Sequence, residues 1–242
     1  MKQFYTIAFP LSVWLFISGC ATSSGKYIIP KEQFYQQVKK VAVLPAENNA
    51  VQFSESSMQE ILVLTDKKIT DKLLTNKIFD VIPSDSCRNM MTKLRSEMQI
   101  SGFKNPISGE IDTLLKKEYV NKYKDKISAE YLIYSYYISK NENMDNSRVI
   151  WDGVSQKIYS DTRGYYKGTA TVVSLVIEIQ DKNNNLLWKG IGGVGMLNDG
   201  GPTVGRFLNV SPEAVFRLND KSLDRIDRAV KICLESIIPM EE

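Results

Sequence analysis

The sequence predicts an α/β domain, one mixed β-sheet packed by helices, with elements in the order β-α-β-α-α-β-β-β-α. Three observations predict it. Short, nearly continuous apolar runs closed by Pro45 and Pro83 alternate with segments of helical periodicity. Two long apolar strands, about Tyr165 to Gln180 and Leu186 to Met196, flank an Asp181-to-Asn185 turn signal. The chain then closes on an amphipathic helix.

Taken in order, Lys39 to Ala46 reads as a first strand covered on both faces, because its apolar run does not alternate. Ser54 to Asn76 is predicted helical, with Met58, Ile61, Leu62, Thr65, Ile69 and Leu73 three or four residues apart and Ser54 as cap. Ile78 to Ile82 is a second strand. Ser84 or Asp85 caps a helix that carries Met90, Met91, Leu94 and Met98 on one side. A third helix is predicted from Glu110 to about Lys124, its stripe formed by Ile111, Leu114, Leu115, Tyr119 and Val120. Ala129 to Ile138 is an aromatic-rich strand, whereas Asn141 to Asp152 is polar and reads as a loop or the tip of an extension. After the two long strands and a loop at Gly200-Gly201-Pro202, the last helix runs from Lys221 to about Ile238. Its inner face holds Leu223, Ile226, Ala229, Val230, Cys233, Leu234 and Ile237. There is no internal repeat and no domain-sized linker.

The amino terminus reads separately. Met1-Lys2-Gln3 carries one positive charge, and an apolar stretch of roughly 14 residues follows, from Phe4 to Ile17. That length suits a secretory signal better than a membrane span, which needs about 20 residues. The stretch ends in Ile17-Ser18-Gly19-Cys20, which resembles the bacterial lipobox. The resemblance implies cleavage after residue 19 and attachment of diacylglycerol to Cys20, so that the protein meets the membrane through its lipid. Residues 1–19 are then the signal peptide, 20–38 a lipidated cysteine with a flexible tether, and 39–242 a periplasmic α/β domain with an insertion near 141–164. In lipoproteins of this type an aspartate after the cysteine retains the protein in the inner membrane. Ala21 stands there, which implies the outer membrane, periplasmic face.

About 220 residues remain after residue 19, enough for one sizeable domain. The formal charge of the whole chain is only +3, with no strong basic block, so nucleic acid is not an expected partner. Histidine is absent. That removes Ser-His and Cys-His nucleophile pairs, histidine-ligated zinc and the usual acid–base group near neutral pH. Without metal-ligand spacing or a convincing nucleophile, no catalytic residue, metal or cofactor is expected, and the chain is read as non-enzymatic. Cys87 and Cys233 remain in an oxidising compartment, where they can pair or stay as two buried thiols; the sequence leaves both open.

Gly190-Ile191-Gly192-Gly193-Val194-Gly195 spells G-x-G-x-x-G. Met196 to Pro202 cannot open the helix a dinucleotide loop requires, so a kinked or bulged strand is expected. Aspartates 220, 224 and 227, interleaved with Lys221, Arg225 and Arg228, read as a solvated, salt-bridged face. Tyr131, Tyr134, Tyr136, Tyr137 and Trp151 are expected mostly to face the core in alternation. Tyr159, Tyr165 and Tyr166, beside the polar insertion, are the candidates for an exposed partner contact.

Lys40 to Pro45, Phe79 to Pro83, Ala129 to Ser135, and Val173 to Asp181 followed by Leu186-Leu187-Trp188 together resemble a periplasmic lipoprotein α/β fold. It is shared by the curli-secretion lipoprotein, the outer-membrane activator of penicillin-binding proteins and the amino-terminal domain of the translocation protein TolB. The chain departs from it at Pro45-Ala46-Glu47-Asn48, which lacks the usual aromatic, and at the insertion from Asn141 to Gly164. The resemblance implies a protein-binding component of a cell-envelope assembly or transport machine. Its partner would be another envelope protein, met through the strand-rich region from Tyr131 to Met196. The alternative is a subunit of a homo-oligomeric, curli-secretion-like outer-membrane pore. Against it stand Arg148, Asp152, Lys157, Asp161 and Arg163, dense charge for strands facing lipid.

Overall fold

The computed structural model of the chain describes residues 25–48, 55–103, 111–157, 168–196 and 220–238. Within them the mixed α/β fold is as expected. The sheet's main path runs β1 (Gly25–Tyr27), β9 (Leu186–Met196), β8 (Gly168–Asp181), β5 (Tyr131–Asp145), β2 (Lys40–Val43) and β4 (Asp80–Ile82). β2 pairs in parallel with both β4 and β5, and β8 is antiparallel to β5 and to β9. A short β3 (Glu47–Asn48) also joins β5 in parallel.

Alternation along the strands splits the interior into two cores. Val41 and Val43 point with Ile133, Leu175 and Trp188 into a core closed by α2 (Glu55–Asn76) and α5 (Asp220–Leu234). Their neighbours Ala42 and Leu44 point the other way with Leu132, under α3 (Ser84–Glu97) and α4 (Thr113–Lys126). The predicted α2 stripe holds: Met58, Ile61, Thr65, Ile69 and Leu73 are buried. On α5, Ile226, Ala229, Val230, Cys233 and Leu234 form the inner face, with Ile237 buried in the turn just past the helix, whereas Leu223 is exposed.

Four expectations are corrected. Residues 25–38, expected within the flexible tether, belong to the domain. β1 pairs with β9, and α1 (Lys31–Gln37) inserts a fully buried Phe34 into the first core. Aromatic contacts explain this: Phe34 meets Tyr27 and Phe79 edge-on at 5.3 and 6.1 Å. Tyr27 and Tyr35 donate hydroxyl bonds to the carbonyls of Ser236 and Ile237, at 2.7 and 3.1 Å. Secondly, α3 begins at Ser84 behind Pro83, with no side chain capping it. Thirdly, α4 starts at Thr113 and is capped by Asp112, which accepts the Leu115 N–H at 2.9 Å. Its phase follows the buried Tyr119, Tyr123 and Ile127, which turns Leu114 outward to 79 % exposure and leaves Ile111 exposed. Fourthly, the polar stretch from Asn141 to Asp152 is mostly strand. β5 continues to Asp145, and β6 (Arg148–Trp151) and β7 (Val154–Lys157) follow as hairpin partners. Both joining turns have positive φ at both residues, Asn146-Ser147 and Asp152-Gly153, which is the geometry that matches strand twist in a two-residue hairpin.

Candidate interaction surface

The β5–β8 ribbon is the longest pairing in the sheet, in register from Tyr131 opposite Asp181 to Met144 opposite Gly168. Its distal half lies beyond β2 and carries the β6–β7 hairpin. Met144, Val149, Trp151, Val154, Ala170, Val172 and Met196 form a third, small core there, with Ile232 of α5 against it. The hairpin is held in place by Asp152. Its carboxylate takes the Ser174 hydroxyl at 2.6 Å and the Lys140 ammonium at 3.1 Å, and its carbonyl accepts the Gly193 N–H at 2.9 Å. Trp151 donates its indole N–H to the Val173 carbonyl at 3.3 Å. Burial works against the Lys140 charge, but hydrogen bonds to Glu142 and Asp152 outweigh it and hold the ammonium above the ordinary lysine range. These bonds tie the hairpin to β5 through Lys140 and to β8 through Ser174.

Outward, the hairpin presents Ile150, 67 % exposed. With Asn143, Asp145, Asn146, Arg148 and Lys157 it lines an open cavity of about 470 Å³. An apolar side chain ringed by mixed charge on a pinned hairpin suits a protein contact. Further along the ribbon, Lys189 bridges Glu178 at 2.9 Å, and Tyr136 donates to the same carboxylate at 2.8 Å. Burial raises the Glu178 carboxyl, but the bonds from Lys189, Tyr136 and Gln180 prevail and hold it below the usual range.

Cys20, Tyr159, Tyr165 and Tyr166 lie outside the described residues. Tyr137 and Trp151 are buried, while Tyr131, Tyr134 and Tyr136 are half-buried, in line with alternation. Cys87 and Cys233 do not pair. They sit in separate cores, free and buried. Burial raises both thiols, with Cys233 well above its ordinary range. The glycine run is part of β9, as expected. The register slips between Val173 and Ser174, opposite Gly195 and Gly193. Asp227 reaches Lys68 of α2 at 3.2 Å rather than a neighbour on its own helix.

Asp66 is a functional candidate that the sequence did not single out. Its carboxylate is 1 % exposed, accepts the Ala46 N–H at 2.7 Å and pairs with Arg88 of α3. Burial pushes its carboxyl up to about 7 against the pull of Ala46 and Arg88, with Asp85 adding to the rise. Only its position in the buried α2 stripe, one residue after Thr65, could have flagged it. Among the described residues no group of three potential metal ligands converges, and no helix is long and apolar enough to cross a membrane.

No family model matches the chain, and no significant match was found among curated proteins. Similar solved structures include the PelC dodecamer from Paraburkholderia phytofirmans, at 13% identity and TM-score 0.34, covering 84% of this chain and 90% of that one. Lipoprotein GNA1162 from Neisseria meningitidis is similar at 12% identity and TM-score 0.33, covering 64% and 81%. The hypothetical protein CT253 from Chlamydia trachomatis stands at 11% and 0.32, covering 80% and 98%. Likeness at this level carries nothing about role.

Proposed function

We propose that this chain is a lipoprotein acylated at Cys20, held on the periplasmic face of the outer membrane, which binds another envelope protein without catalysing a reaction. The signal-like stretch ending in Ile17-Ser18-Gly19-Cys20 supports the anchor. The observation that carries the binding reading is the β6–β7 hairpin, pinned by Asp152 and presenting Ile150 among charged and amide side chains. A rigid hairpin meets a partner with little ordering cost.

The test places a photo-crosslinking amino acid at position 150 in cells, and weighs the detergent-extracted protein by light scattering. A monomer that crosslinks to one heterologous envelope protein is the expected result. A homo-oligomer of several copies would sink the adaptor and favour a pore subunit. No adduct at position 150 would remove the hairpin as the contact.

A further inference from the structure

We infer that the cleft between the C-terminal ends of α2 and α5 faces the membrane and receives a phosphoethanolamine-type phospholipid headgroup, a reading that rests on acylation of Cys20. Two observations carry it. The first is reach. Four residues separate Cys20 from Gly25, and these five chain steps limit the connection to at most about 17 Å of extended chain. Gly25 is fixed by pairing with Gly190 and lies directly against Ser236, so a Cβ there would overlap the Ser236 side chain. The lipid therefore holds the Ser236 corner of the domain close to the bilayer, and the cleft opens beside that corner.

The second observation is charge. The cleft encloses about 540 Å³ over Leu234 and Ile238, with Lys72 and Lys231 set against Asp71 and Glu235 on its walls. The Lys68–Asp227 bridge stands at its edge. Among the described residues none of those four walls' charges is engaged in an ion pair. Equal numbers of ammonium and carboxylate groups over an apolar floor match a zwitterion. The two lysines complement a phosphate, Asp71 and Glu235 complement a primary ammonium, and Leu234 and Ile238 meet the glycerol end. A purely anionic ligand would leave both carboxylates opposed to it.

The test uses the full acylated protein in vesicles of phosphatidylethanolamine and phosphatidylglycerol, with a photoreactive group on a fraction of the ethanolamine headgroups. Adducts are expected on the peptides covering 68–76 and 231–238. Lys72 and Lys231 should react severalfold more slowly with a water-soluble amine reagent than in detergent, while Lys116 and Lys117 on α4 keep their rates. A Lys72→Glu/Lys231→Glu variant, altered only at the cleft walls, should lose the adducts. Adducts elsewhere, unprotected lysines or an unaffected variant would overturn the cleft assignment while the mass of the acylated Cys20 peptide leaves the anchor standing. An unmodified Cys20 would overturn both.

Discussion

Asp66 joins three parts of the chain, since it lies on α2, takes the Ala46 N–H just beyond β2 and pairs with Arg88 on α3. Its folded-state carboxyl is pushed up to about 7 by burial, against an ordinary value near 3.8. The native state therefore holds this proton more tightly than the unfolded chain does, and the contribution of Asp66 to stability is lost as pH rises from about 4 to about 7. Thermal melts at pH 5 and pH 8 should show the wild type less stable at pH 8. Asp66→Asn, which keeps an acceptor for Ala46 but cannot ionise, should flatten that difference. A wild type equally stable at both values would show that Arg88 holds the carboxylate ionised throughout. Its place one residue after Thr65 is the sole local mark of this residue, because its pairing depends on Arg88 of α3, 22 positions away.

Helix α5 lies close on β9, and glycine makes that approach possible. A Cβ at Gly190 or Gly192 would overlap the carbonyl oxygens of Cys233 and Ala229, which are helix backbone and cannot swing aside. Gly192→Ala should therefore destabilise the domain by about 1–3 kcal/mol through overpacking, read as a lowered thermal midpoint. An unchanged midpoint would mean the helix can lift off the strand without cost. The strand character of the glycine run was legible because no helix could start after it, but the reason for the glycines lay in a helix some thirty residues later. The β6–β7 hairpin shows the opposite case. Asp152-Gly153 is a strong local hairpin signal flanked by Val149, Trp151 and Val154, yet the stretch reads as a loop or extension tip from sequence. The surrounding polar residues obscured it. For α4, apolar letters at Ile111 and Leu114 satisfied helical spacing in the wrong phase; only the tyrosines packed below Cys87 set the right one.

Across the whole molecule the sheet is a partition, with Cys233 in the core under α5 and Cys87 in the core under α3 and α4. Both thiols should ignore a thiol reagent in the native protein and, in the acylated chain whose Cys20 sulfur is blocked, label as two per chain after denaturation, and reductant should leave the melting temperature unchanged. A fall in melting temperature on reduction would reveal a disulfide, whose loss costs about 2–5 kcal/mol in small secreted domains. The order of the main strands and helices was readable from periodicity, since each buries a stripe that its own segment displays. The placement of residues 25–38 was not, because Phe34 packs on Phe79 and Tyr35 bonds the Ile237 carbonyl just past α5, partners far along the chain. That packing has a mechanical consequence. A pull through the amino terminus loads the three-residue strand β1 at the sheet's edge first, with the Tyr27 bond to Ser236 beside it. Once β1 has peeled away, the next resistance is the Phe34 ring seated in the core. Tension applied at the amino terminus thus meets the edge strand before the buried ring, and the domain can yield at its edge while its interior stays shut.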